Sequence, residues 1–237
     1  MNLVKNRELR NDIMKTMFKN NDLTQGKIWK LILNFTLPIF LGTLFQSLYS
    51  TIDAIIVGKF AGKDAFAAIE SVMSFQRLPV SFFIGLSSGA TIIISQYFGA
   101  KEKEDVSKAS HTAMLFAIVG GLILSILSCL LSPYFIGLIK VPQKIFHEAY
   151  IYTFICFSGM VFSMIYNIGS GILRALGNSK TPFYILIIGG VTNVLANYFF
   201  IVILKKGVLG VAIATTLSQT LTALIVLTYL FKNKTII

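Results

Sequence analysis

Residues Ala109–Ile139 read ASHTAMLFAIVGGLILSILSCLLSPYFIGLI, thirty-one positions without an Asp, Glu, Lys or Arg. A soluble helix of that length carries charge on the face that meets water. At 1.5 Å per residue the run extends ~45 Å, more than the ~30 Å hydrocarbon core of a bilayer. Strands that cross a membrane are about half as long and alternate apolar with polar residues. This run does not alternate, so it reads as a transmembrane helix.

Five more charge-free runs flank it: Leu31–Ile52, Leu78–Ala100, Ala149–Leu173, Thr181–Leu204 and Gly207–Phe231. Inside lipid a helix satisfies its own backbone groups, which makes it the default spanning element. The expected fold class is all-α, a polytopic membrane protein built as a six-transmembrane-helix bundle. Residues 1–27 are expected to form a cytoplasmic N-terminal segment, 28–231 the bundle, and 232–237 a short cytoplasmic tail. The composition agrees. Of 237 residues, 55% are hydrophobic and 13% charged, about half the charge of an ordinary soluble domain.

The net charge of +11 does not point to nucleic acid. Such binding needs a basic stripe on a folded face, whereas these basic residues cluster at the N-terminus and in the breaks between spans. Their distribution orients the chain instead. With the N-terminus inside, the cytoplasmic side holds Lys5, Arg7, Arg10, Lys15, Lys19, Lys27, Lys30, Lys101, Lys103, Lys108, Arg174, Lys180, Lys232 and Lys234; the outer side holds Lys59, Lys63, Lys140, Lys144, Lys205 and Lys206. Fourteen against six places both termini in the cytoplasm of a cell-membrane protein. Residues 1–27 lack the apolar core of a cleaved signal peptide. Thr24 is a candidate N-cap for the first helix, and Trp29 between Lys27 and Lys30 suits the membrane interface.

Pro38 and Pro79 each remove a backbone donor and are expected to bend their helices. Gly85 and Gly89, with Ser88 and Ala90, offer a small-residue face for close helix contact, as do Gly120-Gly121, Gly169-Ser170-Gly171 and Gly189-Gly190. Cys129 and Cys156 lie within apolar runs, too few for a disulfide framework and without metal-ligand spacing.

Ionisable residues inside a bilayer are costly and so are candidate functional groups. Asp53 ends the first span. Glu70 precedes the second, and Arg77 follows it by nearly two helical turns. The short connection between these spans predicts that Asp53 and Glu70 share a depth and form a small outer-leaflet cluster with Arg77. Asn193 and Asn197 are four apart on one helix face; Gln46, Asn167 and Gln219 add further amides. Such amides either glue helices together or line a cavity. The reading favours the cavity for Asn193 and Asn197, and helix glue for Asn167 and Gln219.

Gly85-Leu86-Ser87-Ser88-Gly89 matches the G-x-S-x-G pattern of hydrolases, but it lies within an apolar helix rather than at a strand-to-helix turn. No Walker loop, HExxH or CxxC occurs. No catalytic residue and no cofactor is therefore expected, and the chain does not read as an enzyme.

Several stretches together resemble the multidrug and toxic compound extrusion (MATE) family. They are Leu23-Thr24-Gln25-Gly26, Leu37-Pro38, Asp53-Ala54-Ile55-Ile56-Val57-Gly58, Gly85 to Ala90, Ser95 to Lys101, Arg174 to Pro182, and Gly207 to Thr215. The resemblance covers nearly the whole chain. It implies one six-helix lobe of a twelve-helix transporter, the two lobes related by pseudo-symmetry. Members export cationic and aromatic compounds in exchange for protons or sodium, so a small-molecule substrate, surrounding membrane lipid and a second six-helix lobe (a separate chain or a second copy) are the implied partners. Asp53 matches the family's acidic residue of helix 1 and Asn193 its helix-5 asparagine. Asn197 and Tyr198 stand where the family usually has aspartate and proline, and Arg77 and Pro79 where it has apolar residues. The implied cation-coupling and cavity set is Asp53, Asn193, Asn197, Glu70, Arg77 and Gln46, with Pro38 as hinge, a proton or sodium as coupling ion and a sodium site at Asp53. Two other readings remain open. One is a non-transporting fragment or interaction protein. The other is a lobe of a lipid-linked-sugar flippase, whose cavity would be more cationic.

Overall fold

A computed structural model describes residues 27–232. The expected segment 1–27, save Lys27, the cap at Thr24 and the tail beyond Lys232 lie outside the described residues. Seven α-helices account for almost all of them: α1 Ile28–Ile56, α2 Lys63–Gly99, α3 Lys103–Leu138, α4 Gln143–Ser158, α5 Met160–Ala175, α6 Lys180–Asn197 and α7 Gly207–Lys232. Helices α1 and α6 each continue into a π-helical stretch, Val57–Ala61 and Tyr198–Ile203. Five of these units are individually long and apolar enough to span a bilayer, and α4 with α5 passes the same test as a bent pair. Counted as one broken span, the pair makes six. The protein is a multi-pass membrane protein.

The expected fourth helix, Ala149–Leu173, is therefore not continuous. It breaks at Gly159 with a bend of 44°. Thr216 of α7 packs against the bend: a Cβ at residue 159 would lie 2.6 Å from its Cγ2. Only glycine lets α7 come so close. Neighbouring helices add hydrogen bonds to backbone groups at the bend. Val161 N–H donates to Ser125 Oγ of α3 at 3.2 Å, and Thr216 Oγ1 donates to the Ile155 carbonyl at 3.4 Å. Buried backbone groups need such partners in lipid. Pro38 and Pro79, in contrast, sit inside helices that run through them without interruption.

The core has three layers. One, at the end of the bundle marked by Lys101, gathers Ile94, Met114, Ile168, Ile172 and Leu230. A second, at the opposite end marked by Lys59, gathers Val57, Ile69, Val72, Ile145, Ile201 and Val211. Phe83, Phe157, Met160 and Met164 form the third, around the α4–α5 break. At the Lys59 end Gly62 closes the turn into α2 at φ 95°, and Lys144 Nζ pairs with Asp64 Oδ2 at 2.8 Å.

Helix α1 stands apart. Gly42 is its one buried residue, and along most of its length it packs on α6. The contact is close because Gly42 admits Leu186 and Phe183, and Gly190 admits Phe45 and Tyr49. Elsewhere α1 exposes Leu33, Leu37, Phe40, Leu44, Leu48, Ile52 and Ile55, a surface suited to hydrocarbon. Thr43, Ser47 and Thr51 return their hydroxyls to the carbonyls four residues earlier, so this stripe needs no outside acceptor for its protons. Gly85 and Gly89 do not behave as expected. A Cβ at either would meet nothing within 4 Å, so no close helix contact forms there. The tight approaches fall at Gly121, Gly159, Gly169, Gly171, Gly189, Gly190 and Gly210.

Candidate functional site

A cleft of about 770 Å³ opens between α1, α2, α4, α5, α6 and α7. Every cavity and hinge residue named from the sequence except Asn197 lines it: Pro38, Gln46, Asp53, Glu70, Arg77 and Asn193. Asn197 lies just behind the wall, fully buried, and reaches Asp53 through its side chain.

The Asp53 group is built from α1 and α6. Four-residue spacing puts Asn193 and Asn197 on one face of α6, and that face meets α1. Asn197 Nδ2 donates to Asp53 Oδ1 at 2.9 Å and to Asn193 Oδ1 at 3.3 Å. The Asn193 amide has two orientations. With its nitrogen toward α1 it donates to both carboxylate oxygens of Asp53, Oδ1 lying at 3.2 Å. With its oxygen toward α1, its nitrogen donates to Ser218 Oγ on α7 at 3.4 Å. The first suits an ionised carboxylate, the second a carboxyl proton or a bound cation. Asn197 Oδ1 is buried and has no hydrogen-bond partner. Among the described residues there is no group of three or more His, Cys, Asp or Glu that could hold a transition metal.

Glu70 and Arg77 share the cleft but do not form the expected ionic cluster. Neither makes an ion pair within 4.0 Å. Glu70 is six residues from Asp64, and Asp53 six from Lys59, so both carboxylates lie ~9 Å below the charged Lys59 end. Arg77 is seven residues further along α2, ~10 Å deeper. Its Nη2 folds back to Met73 Sδ at 3.4 Å.

Asn167 and Gln219 also differ from expectation. Both line the cleft, and Asn167 Nδ2 bonds within its own helix, to the Ser163 carbonyl at 2.8 Å. Sequence reasoning passed over Tyr152, Tyr166, Arg174, Thr215 and Ser218, which the cleft includes. Arg174 reads in the sequence as a basic residue at a span end and as the start of a family-like stretch, not as a cavity residue. The four hydroxyl residues among them carry no signal that separates them from the many others in the spans.

The family model MatE matches residues 38–199, more than half of the chain and the whole of α2 to α6. The chain belongs to the MATE family. Among the relatives of this MATE chain, the probable multidrug resistance protein YoeA of Bacillus subtilis is 32% identical over 215 residues, covering 89% of this chain and 46% of that protein. The probable multidrug resistance protein YpnP of the same organism is 32% identical over 219 residues, covering 91% and 48%. A solved MOP superfamily transporter from Pyrococcus furiosus, described by the reverse polarity of its binding pocket, superposes with a TM-score of 0.85 at 26% identity, covering 92% of this chain and 48% of that one. The MATE chain thus spans about half the length of the curated relatives it matches, and its fold is that of half a solved MATE transporter. MATE is a family of transporters, not of enzymes.

Proposed function

We propose that this chain is one lobe of a secondary antiporter, in which a proton or sodium ion at Asp53 drives the export of small organic compounds through the cleft. The observation that carries this reading is the Asp53–Asn197 contact beside a buried amide oxygen without a partner. An ionised carboxylate in a membrane needs donors. Asn197, and Asn193 in one orientation, supply them. Binding a cation or proton removes that need and turns the amide oxygens into useful ligands. The contact between α1 and α6 then loses part of its basis, so two packings of α1 differ in energy according to the state of Asp53. Helix α1 is suited to such a change because it leans chiefly on one neighbour, and Pro38 gives it a point of flexure.

The cleft walls mix Phe66, Met73, Phe183 and Leu186 with Gln46, Tyr166 and Gln219, a lining suited to an amphipathic or aromatic molecule. Lys and Arg in the connections orient both termini to the cytoplasm. The half-length match to MATE transporters supports a second six-helix lobe as partner, whether a separate chain or a second copy.

The test is ethidium efflux from vesicles containing the purified chain, with sodium and proton gradients imposed separately. Efflux under one gradient, lost in Asp53→Asn, is the expected result. Equal gradient-driven efflux in wild type and Asp53→Asn would remove the coupling role.

A further inference from the structure

We propose that Arg77 is an anion anchor within the cleft, taking the carboxylate, sulfonate or phosphate-ester group of an organic cargo whose apolar body lies against the cleft wall. This rests on the reading of the cleft as the cargo path and adds to it the chemical class of the cargo.

The depth of Arg77 is the first ground. Asp64 and its partner Lys144 mark the charged rim of the bundle, and Arg77 lies thirteen residues beyond Asp64 on the same unbroken helix. That is ~20 Å along the axis, and even the backward fold of the guanidinium to Met73 recovers only about one turn, ~5 Å. The group does not reach the rim. It sits at hydrocarbon depth, where an arginine is costly unless it faces a water-filled cavity and finds a partner.

Its lack of an acid partner is the second ground. A guanidinium has five N–H donors, yet the contact formed here is to Met73 Sδ at 3.4 Å, a weak acceptor. Asp53 is occupied by Asn197, and Glu70 lies nearly two turns away along α2. No carboxylate comes within ion-pair distance of Arg77.

The charge balance of the cleft is the third. Its ionisable wall groups with full formal charge are Asp53, Glu70, Arg77 and Arg174, two acids against two guanidinium groups. Arg174 likewise makes no ion pair. An excess of carboxylate on the walls would favour organic cations. Here the sum is zero, and neutralising Asp53 with a cation leaves the walls net positive. An Arg with free donors at the middle of such a cleft recognises planar anionic groups through paired hydrogen bonds. Val80 and Ile84, one turn and two turns further along α2, line the same cleft and supply apolar surface for the remainder of the cargo.

The experiment compares two dyes of one xanthene body and opposite charge, fluorescein and rhodamine 123, binding to the full chain in nanodiscs of phosphatidylcholine alone. The expected result is tighter binding of fluorescein, weakened roughly tenfold or more by Arg77→Gln and only a few-fold by Arg77→Lys. Rhodamine 123 should be unaffected by either. Arg77→Met, better suited to lipid, replaces the Gln variant if circular dichroism shows lost helix. Adding phosphatidylglycerol to the discs separates two sources of the anion. Displacement of fluorescein assigns the site to a lipid headgroup, and no displacement assigns it to a water-soluble cargo. Unchanged fluorescein affinity in a folded Arg77→Gln or Arg77→Met protein overturns the proposal. So does binding of rhodamine 123 without fluorescein, but that result leaves the cleft as a cargo path. Binding of neither dye removes both readings together.

Discussion

Asn197 and Asp53 are 144 positions apart in the chain, and the amide of the first donates to the carboxylate of the second at 2.9 Å. That bond crosses the α1–α6 contact at a point where charge is expensive. It makes the state of Asp53 a property of how two helices pack.

Asp53→Asn keeps a hydrogen-bonding side chain beside Asn197 but cannot bind a proton or carry a charge. Stability in detergent should stay within about 1 kcal/mol of wild type, since one amide contact replaces another. Gradient-driven efflux should fall at least tenfold. Thermal unfolding and vesicle efflux measured on the same preparation separate the two effects.

Asn197→Ala removes the donor and leaves the Asp53 carboxylate short of a partner. The expected cost is about 1–3 kcal/mol, read as a lower melting temperature. Lowering the pH should narrow the gap to wild type, because a protonated carboxyl no longer needs the missing N–H. A gap that widens as the pH falls through the range in which Asp53 takes up its proton would contradict the pairing.

Gly159→Ala pushes a methyl group to 2.6 Å from Thr216 Cγ2. Overpacking of this kind costs about 1–3 kcal/mol. Thr216→Ser removes the clashing methyl and keeps the hydroxyl that bonds the Ile155 carbonyl. The double variant should therefore recover most of the loss. A double-mutant cycle on thermal stability measures the recovery.

Gly190→Ala and Gly85→Ala should part company although both lie within spans. At Gly190 the new Cβ falls 2.7 Å from Phe45 Cε1 and 2.8 Å from Tyr49 Cδ1, so α1 is pushed off α6 and proteolysis within α1 should accelerate. At Gly85 nothing lies within 4 Å, and stability of the isolated chain should hold or rise by up to about 1 kcal/mol, since alanine suits a helix better than glycine. Limited proteolysis and unfolding of the two variants side by side make the comparison.

The spans were legible because lipid imposes one rule at every position, the exclusion of charge, and a rule applied residue by residue leaves its mark in the order of residues. Asp53, Asn193 and Glu70 stood out for the same reason, as exceptions to it. The pairing of Asn193 with Asn197 was also readable, since four-residue spacing is a local property of a helix. Arg77 was visible too, but its separation from both acids was not. Depth along one helix follows from counting, whereas the direction in which a long side chain folds depends on its neighbours.

The sequence by itself determined that the chain crosses a membrane as helices, which segments cross, and which few polar groups they carry inside. Tertiary structure alone decided that Asn197 meets Asp53, that Thr216 packs against the break of the fourth span at Gly159, and that Gly85 and Gly89 face open space while Gly190 does not. Solvation acts on each residue separately and is written locally. Contact between helices depends on shapes brought together from distant parts of the chain, and no single stretch records both partners.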